Sequence, residues 1–151
     1  MKIKFKKLSD TAQLPAAIRE GDIGFDLYSD EDFVLAHGQT KKIRTNIQLA
    51  DMPTTDGAGN KIFMKVEGRS GLSIDGIFPI GGIVDCSYRG ELGVVLTRNH
   101  AAAPAREFKK GDRIAQLVIY KVATAGEVIM EETDQITETN RGNNGFGSSG
   151  A

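Results

Sequence analysis

The sequence holds one cysteine and no tryptophan. The lone thiol, Cys86, excludes an internal disulfide framework and a multi-cysteine metal site. Such economy fits a reducing cytoplasm, or the host cytoplasm if the source is viral. Only two histidines are present, His37 and His100, far apart and outside any H-E-x-x-H or ligand-spaced cluster, which argues against a His-built metal site. No stretch approaches the roughly 18 to 20 apolar residues needed to cross a bilayer, so no membrane span is expected. The basic start, Met1 to Lys7, leads into no apolar h-region and reads as a half-buried strand with a charged outer face rather than a secretory signal. Charge of one sign is lacking too. Nineteen Lys plus Arg against twenty Asp plus Glu give a net charge of -1, so no global field holds this protein stably on nucleic acid. Any phosphate it binds must be gripped locally, and there is no G-x-x-x-x-G-K-[ST] loop to do so.

What the chain does have is 151 residues, 40% hydrophobic and 26% charged, enough for one globular core. Apolar residues alternate with period two at Ile43, Thr45, Ile47, Leu49 and again at Ile62, Met64, Val66, which predicts strands with one inward face. Short strands are also predicted at Phe25 to Tyr28, Phe33 to Leu35, Ile77 to Ile80, Leu92 to Thr97, Arg113 to Tyr120 and Val128 to Glu131. Turn signals separate them: His37-Gly38, the run from Asp56 to Asn60, Asp75-Gly76, Gly81-Gly82 and Lys110-Gly111-Asp112. Helix signals are thin, because Ala101 to Ala103 runs into Pro104 and Thr11 to Ile18 allows a turn or two. The pattern points to an all-β sandwich, jelly roll or barrel.

The last residues, Arg141 to Ala151, carry one large apolar side chain among glycines and cannot fold alone. A bare flexible tail is one reading. A nucleotide lid is the other, since the segment offers a cation, an aromatic ring and glycines whose N–H groups can approach an anion. Its Gly145 to Gly150 run formally spells G-x-G-x-x-G, yet no helix follows it, so the dinucleotide fingerprint fails.

Three inner segments are unusual. Gly68-Arg69-Ser70-Gly71-Leu72 sets a cation and a hydroxyl between glycines, a composition suited to a phosphate-holding loop. The run from Gly81 to Glu91 carries Asp85 three residues before Tyr88 and reads as a hairpin. Gly111-Asp112-Arg113-Ile114-Ala115-Gln116-Leu117 opens a strand with Ile114 and Gln116 on one face. Cys86 has no histidine nearby in sequence to act as its base and reads as a structural or incidental thiol. Each segment alone can be a turn with solvated charges.

Taken in order, with Asp22-Ile23-Gly24-Phe25-Asp26-Leu27 ahead and the glycine-rich tail behind, the chain resembles the trimeric deoxyuridine triphosphatase (dUTPase) family over about residues 22 to 150. The resemblance implies a jelly-roll-like β domain at 1–136 and a flexible C-terminal arm at 137–151 that closes over a neighbouring subunit's active site in a homotrimer. It implies hydrolysis of dUTP to dUMP and pyrophosphate by water attack on the α phosphorus, which limits uracil incorporation into DNA and supplies dUMP for thymidylate synthesis. The implied cofactor is Mg²⁺ held by the substrate phosphates, with no direct protein ligand.

By the same resemblance, Asp85 would hold the 3'-hydroxyl and orient or deprotonate the attacking water, and Gln116 would help place it. Tyr88 would pack beneath the deoxyribose, while Gly82, Ile83 and Val84 would present backbone groups to the uracil edge. Arg69, Ser70 and Gly71 would hold phosphates. Asp26 would support the metal or its water shell, or pair with Arg113. Arg141, Gly147 and Ser148 would serve the phosphate end, and Phe146 would stack over the base.

The chain departs from the family pattern at Gly68, where Pro is frequent, at Ser87, where Asp is frequent, and at Asp22 and Ile23, where small residues are usual. Two rivals stand beside this reading. A deoxycytidine triphosphate deaminase shares the Arg-Ser loop but needs an acid on the strand after the third motif, and Leu92 to Asn99 contains none. A catalytically dead β trimer acting as a regulator would not need Asp85, Gln116 and Arg69 together.

Overall fold

The computed structural model describes residues 1–100, 104–123 and 128–139. In chain order the strands are β1 (Lys4–Lys7), β2 (Phe25–Tyr28), β3 (Phe33–Leu35), β4 (Thr40–Ile43), β5 (Ile47–Asp51) and β6 (Ile62–Glu67). A short helix, α1 (Ser70–Ile74), the only one among the described residues, precedes β7 (Ile77–Pro79), β8 (Ile83–Val84), β9 (Val94–Arg98), β10 (Arg106–Phe108) and β11 (Arg113–Lys121). Strand pairing is antiparallel throughout the four sheets, whose orders are β1-β5, β10-β3, β2-β11-β6-β8 and β4-β9-β7.

The alternation read from the sequence works as expected on the core side. Ile43, Thr45, Ile47 and Leu49 are all buried, as are Ile62, Met64 and Val66. Ile43 and Ile47 nevertheless belong to different ladders, β4 lying on β9 and β5 on β1. The corner between them is made by Asn46, whose left-handed φ of 50° is among the conformations asparagine tolerates. Buried Thr45 donates its hydroxyl to the Leu92 carbonyl at 2.7 Å, so its polar atom is satisfied inside the core.

The same corner is tied down by a buried carboxylate. Asp30 accepts hydrogen bonds from Ser9 Oγ, Thr11 Oγ1 and Asn46 Nδ2, and Lys110 Nζ lies 3.4 Å away. Burial opposes its charge, but the Ser9, Asn46 and Thr11 bonds together with the Lys110 cation outweigh it and hold the carboxyl well below the usual range. The long turn before β6 is closed in a related way: Asp56 accepts the N–H groups of Ala58 and Asn60 and the Asn60 side chain, and pairs with Lys121 at 2.7 Å.

Four local expectations need correction. The Arg69-Ser70-Gly71 stretch is not a loop throughout, since Ser70 starts the one-turn helix α1 with Arg69 at its N-cap. The segment 81–91 is not a hairpin paired on itself: β8 lies against β6, and Glu91 bridges to Gln48. On β11 a bulge between Arg113 and Ala115 sets two residues against one of β2, so Ile114 and Ala115 are both buried and Gln116 turns to the opposite side from Ala115 and Leu117. Val128 to Glu131 forms no strand and pairs with none of the four sheets. The weak helix candidate Ala101 to Ala103 lies outside the described residues.

Candidate functional site: two half-clefts

A large cleft, about 600 Å³, opens between the segment 18–26, the start of α1 and β11. Asp26, Arg69, Ser70, Gly71 and Gln116 all line it, together with Arg113 and the rim residues Arg19, Asp22 and Ile23. These come from β2, α1 and β11, and the sheet order β2-β11-β6 sets their spacing, because Gln116 stands opposite both Asp26 and Glu67.

Asp26 is the keystone. Its Oδ1 accepts from Arg69 Nε at 3.0 Å and its Oδ2 from Arg113 Nη1 at 3.1 Å. Arg69 Nη1 also donates to the Arg113 carbonyl at 3.0 Å, so the guanidinium is held on two sides and only Nη2 is left without a bond among the described residues. A planar fork fixed in this way presents one donor edge to an anion with little rotamer entropy left to lose. Ser70 and Gly71 follow in the first turn of α1, where N–H groups have no intrahelical acceptor.

Gln116 donates Nε2 to the Gly68 carbonyl at 2.7 Å, which fixes the amide and leaves its oxygen toward the chain opposite. That chain is Gly24: a Cβ there would collide with Gln116 Oε1, so a larger residue would push the amide away from its place on the Gly68 carbonyl.

The second set of expected residues lies elsewhere. Gly82, Ile83, Val84, Asp85 and Tyr88 line a separate cleft of about 270 Å³, along with Val66, Glu91 and Leu92. Gly82 has a φ of +95°, and a Cβ on it would sit 2.9 Å from the Val66 carbonyl oxygen. Its own carbonyl accepts the Val66 N–H at 2.8 Å, so the Gly81-Gly82 bend is locked onto β6. Tyr88 donates its hydroxyl to the Glu91 carbonyl at 3.0 Å and its ring covers Gly90, which fixes the ring's place in the wall. Asp85 is exposed, and its carboxylate has no hydrogen-bond partner among the described residues. Ile83 beside it is 68% exposed. Cys86 donates to the Ile62 carbonyl at 2.8 Å, which agrees with a structural thiol.

The chain thus carries two separate clefts: a cationic one built on Asp26 and a carboxylate-bearing one built on the Gly81-Gly82 bend. Arg141, Phe146, Gly147 and Ser148 lie outside the described residues. Arg113 and the rim residue Arg19 belong to the cleft although the motif reading gave neither a binding role. The signal for Arg113 was its place directly after Gly111-Asp112, at the head of the strand that carries Gln116.

A sequence model of the dUTPase family matches residues 10–150. The chain belongs to the dUTPase family. The deoxyuridine 5'-triphosphate nucleotidohydrolase of vaccinia virus is 35% identical over 148 residues, covering 98% of this chain and 92% of the viral one. The enzyme of that name from Clostridioides difficile is 36% identical, covering 98% of this chain and 97% of its own length. Among solved structures, a Staphylococcus bacteriophage 80alpha dUTPase with dUpNHpp superposes with a TM-score of 0.82 at 24% identity and covers 99% of both chains. A phage phi11 dUTPase, described as coordinating a structural Mg(II) ion, gives a TM-score of 0.72 at 22% identity, covering 93% of this chain and 99% of its own. These two likenesses establish the all-β dUTPase fold.

No helix of the described residues is long and apolar enough to cross a membrane. Among the described residues there is also no cluster of three or more metal-ligating side chains. The carboxylates of the large cleft are Asp26, already engaged by two guanidiniums, and Asp22, one of whose oxygens accepts the Arg19 N–H, and this pair does not make a protein cage for Mg²⁺. It does fit a magnesium ion carried by phosphates, since each Asp26 oxygen keeps acceptor capacity for a metal-bound water.

Proposed function

We propose that this chain hydrolyses dUTP to dUMP and pyrophosphate, in a homotrimer whose active sites each combine half-sites from different subunits. The observation that carries the reading is the separation of the two clefts: the phosphate-suited Arg69, Ser70 and Gln116 stand in one, and Asp85 and Tyr88 in another. Neither is complete. An exposed carboxylate is a poor general base for a triphosphate until water is restricted around it, and a neighbouring subunit's cationic cleft supplies both the substrate phosphates and the enclosure.

Further support comes from bare apolar side chains. Ile129, Met130 and Ile136 are each 89% exposed, and Ile74 and Ile83 are 83% and 68% exposed. Subunit contacts would cover such residues.

In the assembled site the backbone of the Gly82 to Val84 bend reads the uracil edge, and Tyr88 underlies the deoxyribose, excluding a ribose hydroxyl. Asp85 holds the 3'-hydroxyl and takes a proton from a water that Gln116 helps to place in line with the α phosphorus. Proton removal by a positioned base is worth about 10²- to 10⁴-fold. Arg69 and the Ser70 and Gly71 groups hold the phosphates and stabilise the departing pyrophosphate. Mg²⁺ on the triphosphate supplies charge neutralisation when bound. Arg141, Phe146, Gly147 and Ser148 are proposed to complete the site from the C-terminal segment, with Phe146 against the base. Free dUTP in a cytoplasmic pool is the proposed substrate, and neither nucleic acid nor membrane is a proposed partner.

The experiment is hydrolysis of dUTP in ¹⁸O-labelled water with phosphorus NMR of the products, repeated with Asp85→Asn. The expected result is label in dUMP with unlabelled pyrophosphate, and near loss of turnover in the variant with dUTP binding retained. Release of orthophosphate, ammonia from dCTP, or wild-type turnover in Asp85→Asn would each overturn a stated part of the proposal.

A further inference from the structure

Asp22 and Ile23 line the large cleft, and the hydrolysis scheme uses neither. The structure gives Asp22 a task. Its Oδ2 accepts the Arg19 N–H at 2.9 Å, and its own N–H donates to the Arg19 carbonyl at 3.2 Å. These two bonds close the turn 19–22, with Gly21 supplying the left-handed residue at φ +88°. A small apolar residue at position 22 could make the second bond but not the first.

The turn fixes the backbone of Arg19 at the rim of the cleft that holds Arg69, Ser70 and Gln116. Three arginines and two carboxylates line that cleft. Asp26 engages both Arg69 and Arg113. Asp22 spends one oxygen on the backbone of its own turn. The Arg19 guanidinium has no ion pair or side-chain hydrogen bond among the described residues, so it is the cleft cation with its charge uncommitted. A cation poised over a concave surface already biased to positive charge acts on the most heavily charged part of an incoming ligand.

We propose that Arg19, presented by the Asp22-closed turn, is an additional binding residue for the pyrophosphate end of the nucleotide. The inference rests on the dUTP-hydrolysis reading and names a residue of that same site. Arg19 adds attraction for the outer phosphates of the substrate and for the leaving pyrophosphate, and has no contact to make with dUMP. The carboxylate at position 22 and the arginine three residues earlier then form one device.

The test is calorimetric titration of inorganic pyrophosphate and of dUMP into the whole protein, alongside steady-state dUTP kinetics. At low salt Arg19→Ala should weaken pyrophosphate binding and raise KM about two- to fivefold, the range for an exposed charge pair, with a smaller change in kcat. The difference should shrink as salt is added. Binding of dUMP should stay as in the wild type. Asp22→Ala should move pyrophosphate binding in the same direction, whereas Asp22→Asn, which can accept the same N–H, and Arg19→Lys, which keeps the charge, should restore most of it. Equal pyrophosphate affinity in wild type and Arg19→Ala would overturn the inference, as would equal weakening toward dUMP, the signature of a merely structural role. Absence of dUTP turnover in the wild type would instead sink the reading beneath it, and the direct titration separates the two failures.

Discussion

Replacing Asp26 by Asn is the sharpest probe of how the cationic half-site is built. The substitution keeps the size of the side chain but removes the charge that holds Arg69 Nε at 3.0 Å and Arg113 Nη1 at 3.1 Å. Asp26 and Arg69 are 13% and 27% exposed, so their bond is shielded, whereas Arg113 at 44% is largely wet and contributes less. A hydrogen bond to a charged group contributes about 1.5–3 kcal/mol, and that figure is assigned to the Arg69 pair alone.

If Arg69 must keep its orientation for the phosphates, the same free energy is missing in the transition state. At about 1.4 kcal/mol per decade, kcat/KM should then fall on the order of 10- to 150-fold. Urea unfolding and steady-state dUTP kinetics measure the two effects. The Mg²⁺ concentration giving half-maximal rate should move little, because Asp26 acts through the arginines. A kcat/KM within twofold of the wild type would refute the clamp, and a large rightward shift in Mg²⁺ dependence with unchanged stability would transfer Asp26 to the metal.

Two further outcomes are expected. Gly82→Ala forces a left-handed φ of +95° on a residue with a Cβ and sets it 2.9 Å from the Val66 carbonyl oxygen; a loss of about 1–3 kcal/mol in urea and a raised KM for dUTP should follow, and unchanged KM would remove the bend from base recognition. The Asp30 carboxyl is held below its unfolded value, so its contribution to stability is fully present above the unfolded pKa of about 4 and is lost as pH falls through the folded value. Asp30→Asn should therefore cost stability at neutral pH and flatten the acid limb of the pH–stability curve, whereas an unaltered acid limb would show that other carboxylates govern it.

Much of this architecture is legible in the residues, for reasons that differ from place to place. Period-two alternation reports burial directly, so Ile43 to Leu49 faces inward as read, but alternation is blind to partners, and the switch from β9 to β1 at Asn46 leaves no mark on it. Glycine-flanked Arg69-Ser70 reads as loop because propensity disfavours helix there; tertiary packing of Leu72, 5% exposed, and the Leu72 and Ser73 amides on the Arg69 carbonyl impose the turn of helix. The bulge at Ile114 is a register event between two strands, and no local rule applied to β11 alone finds it. Val128 to Glu131 has the composition of a strand but pairs with no strand among the described residues, and pairing is not written in composition. The motif residues are each legible in the sequence, but their division into two clefts is a property of the folded chain.

That division is also where the central claim is most exposed to test. Asp85→Asn and Arg69→Ala disable different half-sites, so each variant alone should be inactive. Unfolded together in equal amounts and refolded, they should yield mixed trimers in which about one quarter of the sites draw an intact Asp85 from one subunit and an intact Arg69 from another, with that share of wild-type turnover recovered. Mixed trimers that form and still release no pyrophosphate would place both groups in the same chain's site and contradict the account.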